Sequence, residues 1–187
     1  MIKAGQLSKG MFILVKDAPY EVTEREFVYP GKGTAFIRAK LKNMKTGQVL
    51  KQVIKSQEQV EDIEVTELEC QFLYSDGETL HFMNSETYEQ FGISAAVLDD
   101  KAKYLKEGDT YELVMWEDEP LNIKLPFKMK YAVTQAEDAV KGDTVTGATK
   151  TVEVETGLTV KVPLFIKEGD NIIVNTETGE YVERTNN

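Results

Sequence analysis

His81 and Cys70 are the one histidine and the one cysteine of the sequence, so few side chains could shuttle a proton or attack a substrate near neutral pH. His81 stands between Leu80 and Phe82 in a strand-like run, and no serine or cysteine motif is spaced to use it. A structural role is expected. Cys70 precedes the same run and reads as a small buried hydrophobe, because a reactive thiol needs an electropositive, accessible setting. A single cysteine forms no internal disulfide, and with a single histidine it falls short of a structural zinc site. Carboxylates pair up at Asp99-Asp100 and Glu117-Asp118-Glu119. Acid–base work needs burial that drives two pKa values apart, and these polar stretches read as solvated. No catalytic residue, metal or cofactor is expected, and the chain does not read as an enzyme.

Pro30-Gly31-Lys32-Gly33 is the segment whose spacing asks for an explanation. Proline fixes φ on entry, and the glycines leave bare backbone on either side of one long cationic side chain. Lys32 is thereby held forward at a hairpin tip. The segment is not a nucleotide-binding loop: Gly33 rather than Ser or Thr follows Lys32, Glu26 stands where the earlier glycine belongs, and no long helix follows.

The elements that must carry this loop read as short strands. Over residues 36–44, Ile37, Ala39 and Leu41 alternate with Arg38, Lys40 and Lys42, a period of two that marks a half-buried strand. The three cations therefore share one face. Turn signals recur at Thr46-Gly47, Asp76-Gly77, Thr156-Gly157 and Thr178-Gly179, each between β-rich runs. Only residues 84–105 break the pattern. Ser85 is placed to cap a short turn near Glu86, and residues 95–105 carry a weak helical pattern. Without long amphipathic helices a parallel sheet is not expected; an all-β chain of several small barrels is.

Composition sets the limits. Of 187 residues 41% are apolar, enough for a packed core and against wholesale disorder. The longest early apolar run, residues 11–15, is too short for a signal-peptide core or a membrane span, and a cytoplasmic protein is expected. The net charge of −10 argues at first against a nucleic-acid partner. Divided at 64 and 127, however, the chain carries +3 (eleven cations, eight carboxylates), −10 (four and fourteen) and −3 (seven and ten). Residues 27–57 hold seven cations and no acid, the local signature of a polyanion within reach.

The run from Pro30 through Thr34-Ala35-Phe36-Ile37-Arg38-Ala39-Lys40-Leu41-Lys42-Asn43, with Thr46-Gly47, closely resembles the first domain of the bacterial elongation factor P family. The resemblance continues through Tyr74-Ser75-Asp76-Gly77-Glu78 and His81-Phe82-Met83-Asn84-Ser85-Glu86-Thr87-Tyr88. It returns at Gly142-Asp143-Thr144, at Thr156-Gly157-Leu158-Thr159-Val160-Lys161-Val162-Pro163-Leu164-Phe165, and at Thr178-Gly179-Glu180-Tyr181-Val182-Glu183-Arg184. These blocks are collinear and span nearly the whole chain.

The resemblance implies three β-barrels in an L-shaped, tRNA-like arrangement. They are a KOW/SH3-like barrel at 1–64 and oligonucleotide-binding (OB) barrels at 65–127 and 128–187. It implies a monomeric factor that binds the ribosome, both subunits, between the peptidyl and exit tRNA sites. There Lys32 approaches the CCA end of the peptidyl-tRNA, Pro30, Gly31 and Gly33 shape its loop, and a lysine-modifying enzyme extends it. Stalling at consecutive prolines is the implied target. Arg38, Lys40 and Lys42 are candidate tRNA or rRNA phosphate contacts, since backbone contacts position without reading sequence. Gly142, Asp143, Thr144, Tyr181 and Arg184 are carried over as the side facing the small subunit and exit site. The alternative is a general single-stranded nucleic-acid binder, which needs basic grooves with aromatic platforms. The −10 middle segment and the few cations near Trp116, Phe72 and Tyr74 disfavour it.

Overall fold

The computed structural model describes residues 1–137 and 147–186, and strands dominate them. In chain order the first set is β1 (Ile2–Lys3), β2 (Phe12–Val15), β3 (Ala18–Val28), β4 (Phe36–Asn43), β5 (Val49–Lys55) and β6 (Gln59–Asp62). They form one antiparallel sheet in the order β1-β6-β2-β3-β4-β5. Next come β7 (Thr66–Ser75), β8 (Thr79–Asn84), β9 (Gln90–Ser94), β10 (Thr110–Trp116) and β11 (Glu119–Lys124), ordered β11-β10-β7-β8-β9. The last set is β12 (Lys128–Ala136), β13 (Thr149–Val154), β14 (Thr159–Pro163), β15 (Asn171–Asn175) and β16 (Tyr181–Thr185), ordered β14-β13-β12-β15-β16. The two five-stranded sheets share one plan, a central first strand flanked by two hairpins. The all-β expectation is met.

Alternation builds each core. On β4, Ile37, Ala39 and Leu41 are buried and pack with Leu7, Ile13, Val22 and Ile54. In the second sheet Leu80 and Phe82 point inward from β8. In the third, Tyr131 is fully buried, and its hydroxyl donates to the Tyr104 carbonyl at 2.6 Å, so the one polar atom of that ring is satisfied. Bulges bend the strands so that flat ladders can curl. Thr23 interrupts β3–β4 pairing and Thr134 interrupts β12–β13 pairing. In both cases the threonine hydroxyl donates to a carbonyl of the neighbouring strand, Lys40 or Glu153, at 3.1 Å.

The segment 84–105 differs in part from expectation. The short turn expected near Glu86 is present, but the side chain that caps it is Asn84, which accepts from the N–H groups of Glu86 and Thr87, and not Ser85. Residues 85–89 form a hairpin turn between β8 and β9. The helical pattern beyond it is real but short: α1 (Ala95–Leu98) runs into a 3-10 segment, Asp99–Tyr104. No helix among the described residues is long and apolar enough to cross a membrane.

The chain divides into two compact units, residues 1–99 with 107–124, and residues 100–106 with 125–187. In the first unit the β4–β5 turn meets the second sheet. Lys42 pairs with Asp99 at 2.7 Å, Lys45 with Glu119 at 3.0 Å, and Asn122 donates to Glu21 at 2.9 Å. A Cβ at Gly47 would stand 2.4 Å from the Ala96 carbonyl oxygen, so only glycine fits that approach. In the second unit the β15–β16 turn approaches Tyr104 through Gly179.

Candidate functional site

Residues 29–35 connect β3 to β4 and carry the loop singled out in the sequence. At its entry the rings of Phe27 and Tyr29 pack together tilted by 37°, with centroids 4.6 Å apart. At its exit the Ala35 carbonyl accepts from Ser56 N–H at 2.9 Å, tying the return strand to the sheet. Between these anchors Gly31, Lys32, Gly33 and Thr34 are all exposed. Lys32 makes no ion pair among the described residues. The two glycines do different work. Gly33 has φ +106°, a backbone state that side-chain-bearing residues rarely adopt. Gly31 has no positive φ, and a Cβ there would meet nothing within 4 Å. The fold therefore requires Gly33 and does not require Gly31.

Below the loop, β4 presents its cations outward as the alternation requires, and each has found a carboxylate. Arg38 meets Glu26 at 3.3 Å, Lys40 meets Glu24 at 2.7 Å, and Lys42 meets Asp99. The first two pairs lie open to solvent. Lys42 is different: its side chain is only 12% exposed, although the Asp99 carboxylate that it meets is 66% exposed. Arg38 also lies 5.6 Å over the ring of Phe36. Glu24 and Glu26 were missed in the sequence because the acid-free window opens at residue 27, just past them. The signal was there, in acids alternating along β3 to face the cations of β4. Lys51 and Lys55 on the edge strand β5 are exposed and make no ion pair among the described residues.

The remaining candidates do not gather at this loop. Tyr181 and Arg184 lie on β16, where Arg184 pairs with Asp170 at 3.8 Å and covers the ring of Phe165 at 5.5 Å. Gly142, Asp143 and Thr144 lie outside the described residues. His81 stacks on Tyr74 at 4.5 Å and hydrogen-bonds Asp76 at 2.9 Å, an arrangement that ties down the β7–β8 hairpin. That hydrogen bond, with the N–H groups of Thr79 and Glu78, pulls the Asp76 carboxyl down to about 2. Cys70 is fully buried, and burial pushes its thiol up to about 11. No group of three or more histidine, cysteine or acidic residues among the described residues could hold a metal ion.

Three family models match in sequence order. They are the elongation factor P KOW-like domain over residues 3–60, the elongation factor P OB domain over 65–123, and the elongation factor P C-terminal region over 129–184. Elongation factor P of Treponema denticola is 51% identical over 186 residues, covering 100% of both chains. That of Borrelia hermsii is 49% identical, over 98% of this chain and 97% of its own. That of Magnetococcus marinus is 42% identical over 184 residues, 98% of each chain. A solved structure of eukaryotic translation initiation factor 5A from Methanococcus jannaschii superposes with TM-score 0.50 at 20% identity, over 66% of this chain and 90% of its own. That likeness is one of fold. Full-length identity, and three matched regions that follow the three sheets, place this chain in the elongation factor P family of translation elongation factors.

Proposed function

We propose that the protein binds the ribosome between the peptidyl and exit tRNA sites and steadies the CCA end of peptidyl-tRNA with the Lys32 loop. Peptide-bond formation at consecutive prolines is the step it promotes. The observation that carries this reading is the loop itself: an exposed lysine with no ion-pair partner among the described residues, between two glycines, on a pair of hydrogen-bonded strands, in a chain of this family. Proline reacts poorly because its ring restricts approach. Holding the peptidyl end in a reactive pose recovers an orientational cost of several kcal/mol, out of a ceiling of about 7–11 kcal/mol. Positioning of that kind asks for no acid or base from the protein.

The three sheets support a division into barrels at 1–64, 65–127 and 128–187. Arg38 and Lys40 are the proposed phosphate contacts on the first barrel. Lys42, paired with Asp99 and with a side chain only 12% exposed, is the least accessible of the three cations proposed for that role. Tyr181 and Arg184 are proposed to face the small subunit and the exit-site codon. A lysine-modifying enzyme acting on Lys32 is consistent with its exposure, and added mass on a Lys32 peptide from the native host is the expected finding. The deciding experiment is a polyproline reporter with Lys32→Ala. Rescue is expected to vanish while the unfolding curve stays the same, and unchanged rescue would remove Lys32 from the mechanism.

A further inference from the structure

The outer face of the first sheet is ruled into rows. One row crosses Glu24 on β3, Lys40 on β4 and Lys51 on β5; the next crosses Glu26, Arg38 and Val53. Like charges directly opposite on neighbouring strands repel. Lys40 and Lys51 are such a pair, and among the described residues Lys40 alone of the two makes an ion pair with a carboxylate. An open groove of about 410 Å³ lies along these rows, lined by Glu24, Glu26, Arg38, Lys40, Lys51 and Val53 among others. Lys51 lines its β5 side, and Lys55 lies beyond it on the same strand, four residues on and about 13 Å away. The face thus holds, on its edge strand, two cations with no ion pair among the described residues and, on the next strand inward, two paired ones.

We propose that Glu24 and Glu26 set the selectivity of this face. They occupy Lys40 and Arg38 as surrogates for phosphate and release them only to an RNA backbone already held by Lys51 and Lys55. The inference rests on the reading of Arg38 and Lys40 as phosphate contacts. Both glutamates have side chains 63% exposed, so they can turn to solvent without disturbing the core. A single encounter must displace a preformed ion pair, which disfavours indiscriminate RNA. A backbone anchored at Lys51 and Lys55 presents its next phosphates at high effective concentration and displaces the carboxylates in turn. An RNA partner is favoured over an acidic peptide because Lys51 and Lys55 are spaced along a strand beside further cations, matching a regular line of charge.

The test compares the full-length protein with Glu24→Gln/Glu26→Gln, isosteric changes at exposed positions. Two probes are used, a short RNA duplex of arbitrary sequence and ribosomes carrying peptidyl-tRNA, each titrated across a salt series. Duplex affinity of the double variant is expected to rise several-fold. Its logarithmic salt slope should steepen by roughly 0.7–0.9 per released cation. Affinity for the ribosome should rise less, so preference for the ribosome falls. Unchanged duplex affinity and slope would overturn the inference, as would tighter binding of a polyglutamate peptide than of the duplex by the wild-type protein. Arg38→Ala and Lys40→Ala separate the two levels. If they flatten the ribosomal slope while the glutamine variant changes nothing, only the role of the glutamates falls. If they leave the slope alone, the phosphate reading falls and the inference with it.

Discussion

At the scale of single residues, the two glycines flanking Lys32 make opposite predictions. Gly33→Ala forces a side chain into φ +106° and should cost about 1–2 kcal/mol in urea unfolding. Gly31→Ala meets open space and should stay within about 0.5 kcal/mol of wild type. Any loss of polyproline rescue in Gly31→Ala then reports on what approaches the loop, not on the loop's fold. Asp76 supplies a pH test. Its folded pKa, about 2, lies below the ordinary 3.8, so its contribution to stability is present above about pH 4 and is lost as pH falls through 2. Asp76→Asn should therefore narrow the difference in urea midpoint between pH 5 and pH 2.5, and an unchanged difference would place the acid sensitivity elsewhere. Cys70, buried with a thiol near 11, should resist a disulfide reagent in the native state and react once the chain is unfolded.

At the scale of elements, one turn occurs three times among the described residues. Asn43, Asn84 and Asn175 each accept from the backbone N–H groups two and three residues on, and Thr46, Thr87 and Thr178 each accept from the residue two further on. A residue with positive φ follows each threonine: Gly47, Tyr88 and Gly179. The first and last were legible in the sequence because Thr-Gly marks them. The middle one was hidden, since tyrosine occupies the left-handed position and Ser85 mimics a helix cap. Surroundings explain the exchange. Gly47 faces the Ala96 backbone and Gly179 approaches the Tyr104 hydroxyl, whereas Tyr88 is 71% exposed. Gly47→Ala should thus destabilise by about 3 kcal/mol, combining dihedral strain with overpacking. Tyr88→Gly relieves the same strain and should stabilise by up to about 1 kcal/mol in thermal unfolding. The strand face of β4 was legible because burial enforces a period of two. The partners of its cations were not, because pairing across strands depends on a register shifted by the Thr23 bulge.

For the whole molecule, net charge was the misleading number and its distribution the useful one. The acidic second segment does more than oppose the basic first: Asp99 and Glu119 reach Lys42 and Lys45 and tie the two sheets of the first unit together. Lys42→Ala, which removes a side chain only 12% exposed from its pair with the exposed Asp99, should cost up to about 1 kcal/mol, mostly as lost packing of the lysine stem, against under about 0.5 kcal/mol for the more open Lys40→Ala. Comparable losses would remove the distinction drawn between those lysines. Family membership and the all-β architecture were readable from the sequence because turn chemistry and alternation recur along nearly the entire chain. The self-closing Asn–Thr turn has a consequence in time as well as space. Each of the three sheets holds a hairpin whose closure uses only its own six residues, and such hairpins form in roughly 1–10 μs, before distant strands have met. Three seeds lie along the chain, one in each sheet. Asn175→Ala should accordingly slow refolding of the last sheet more than it hastens unfolding, the kinetic mark of a contact made early.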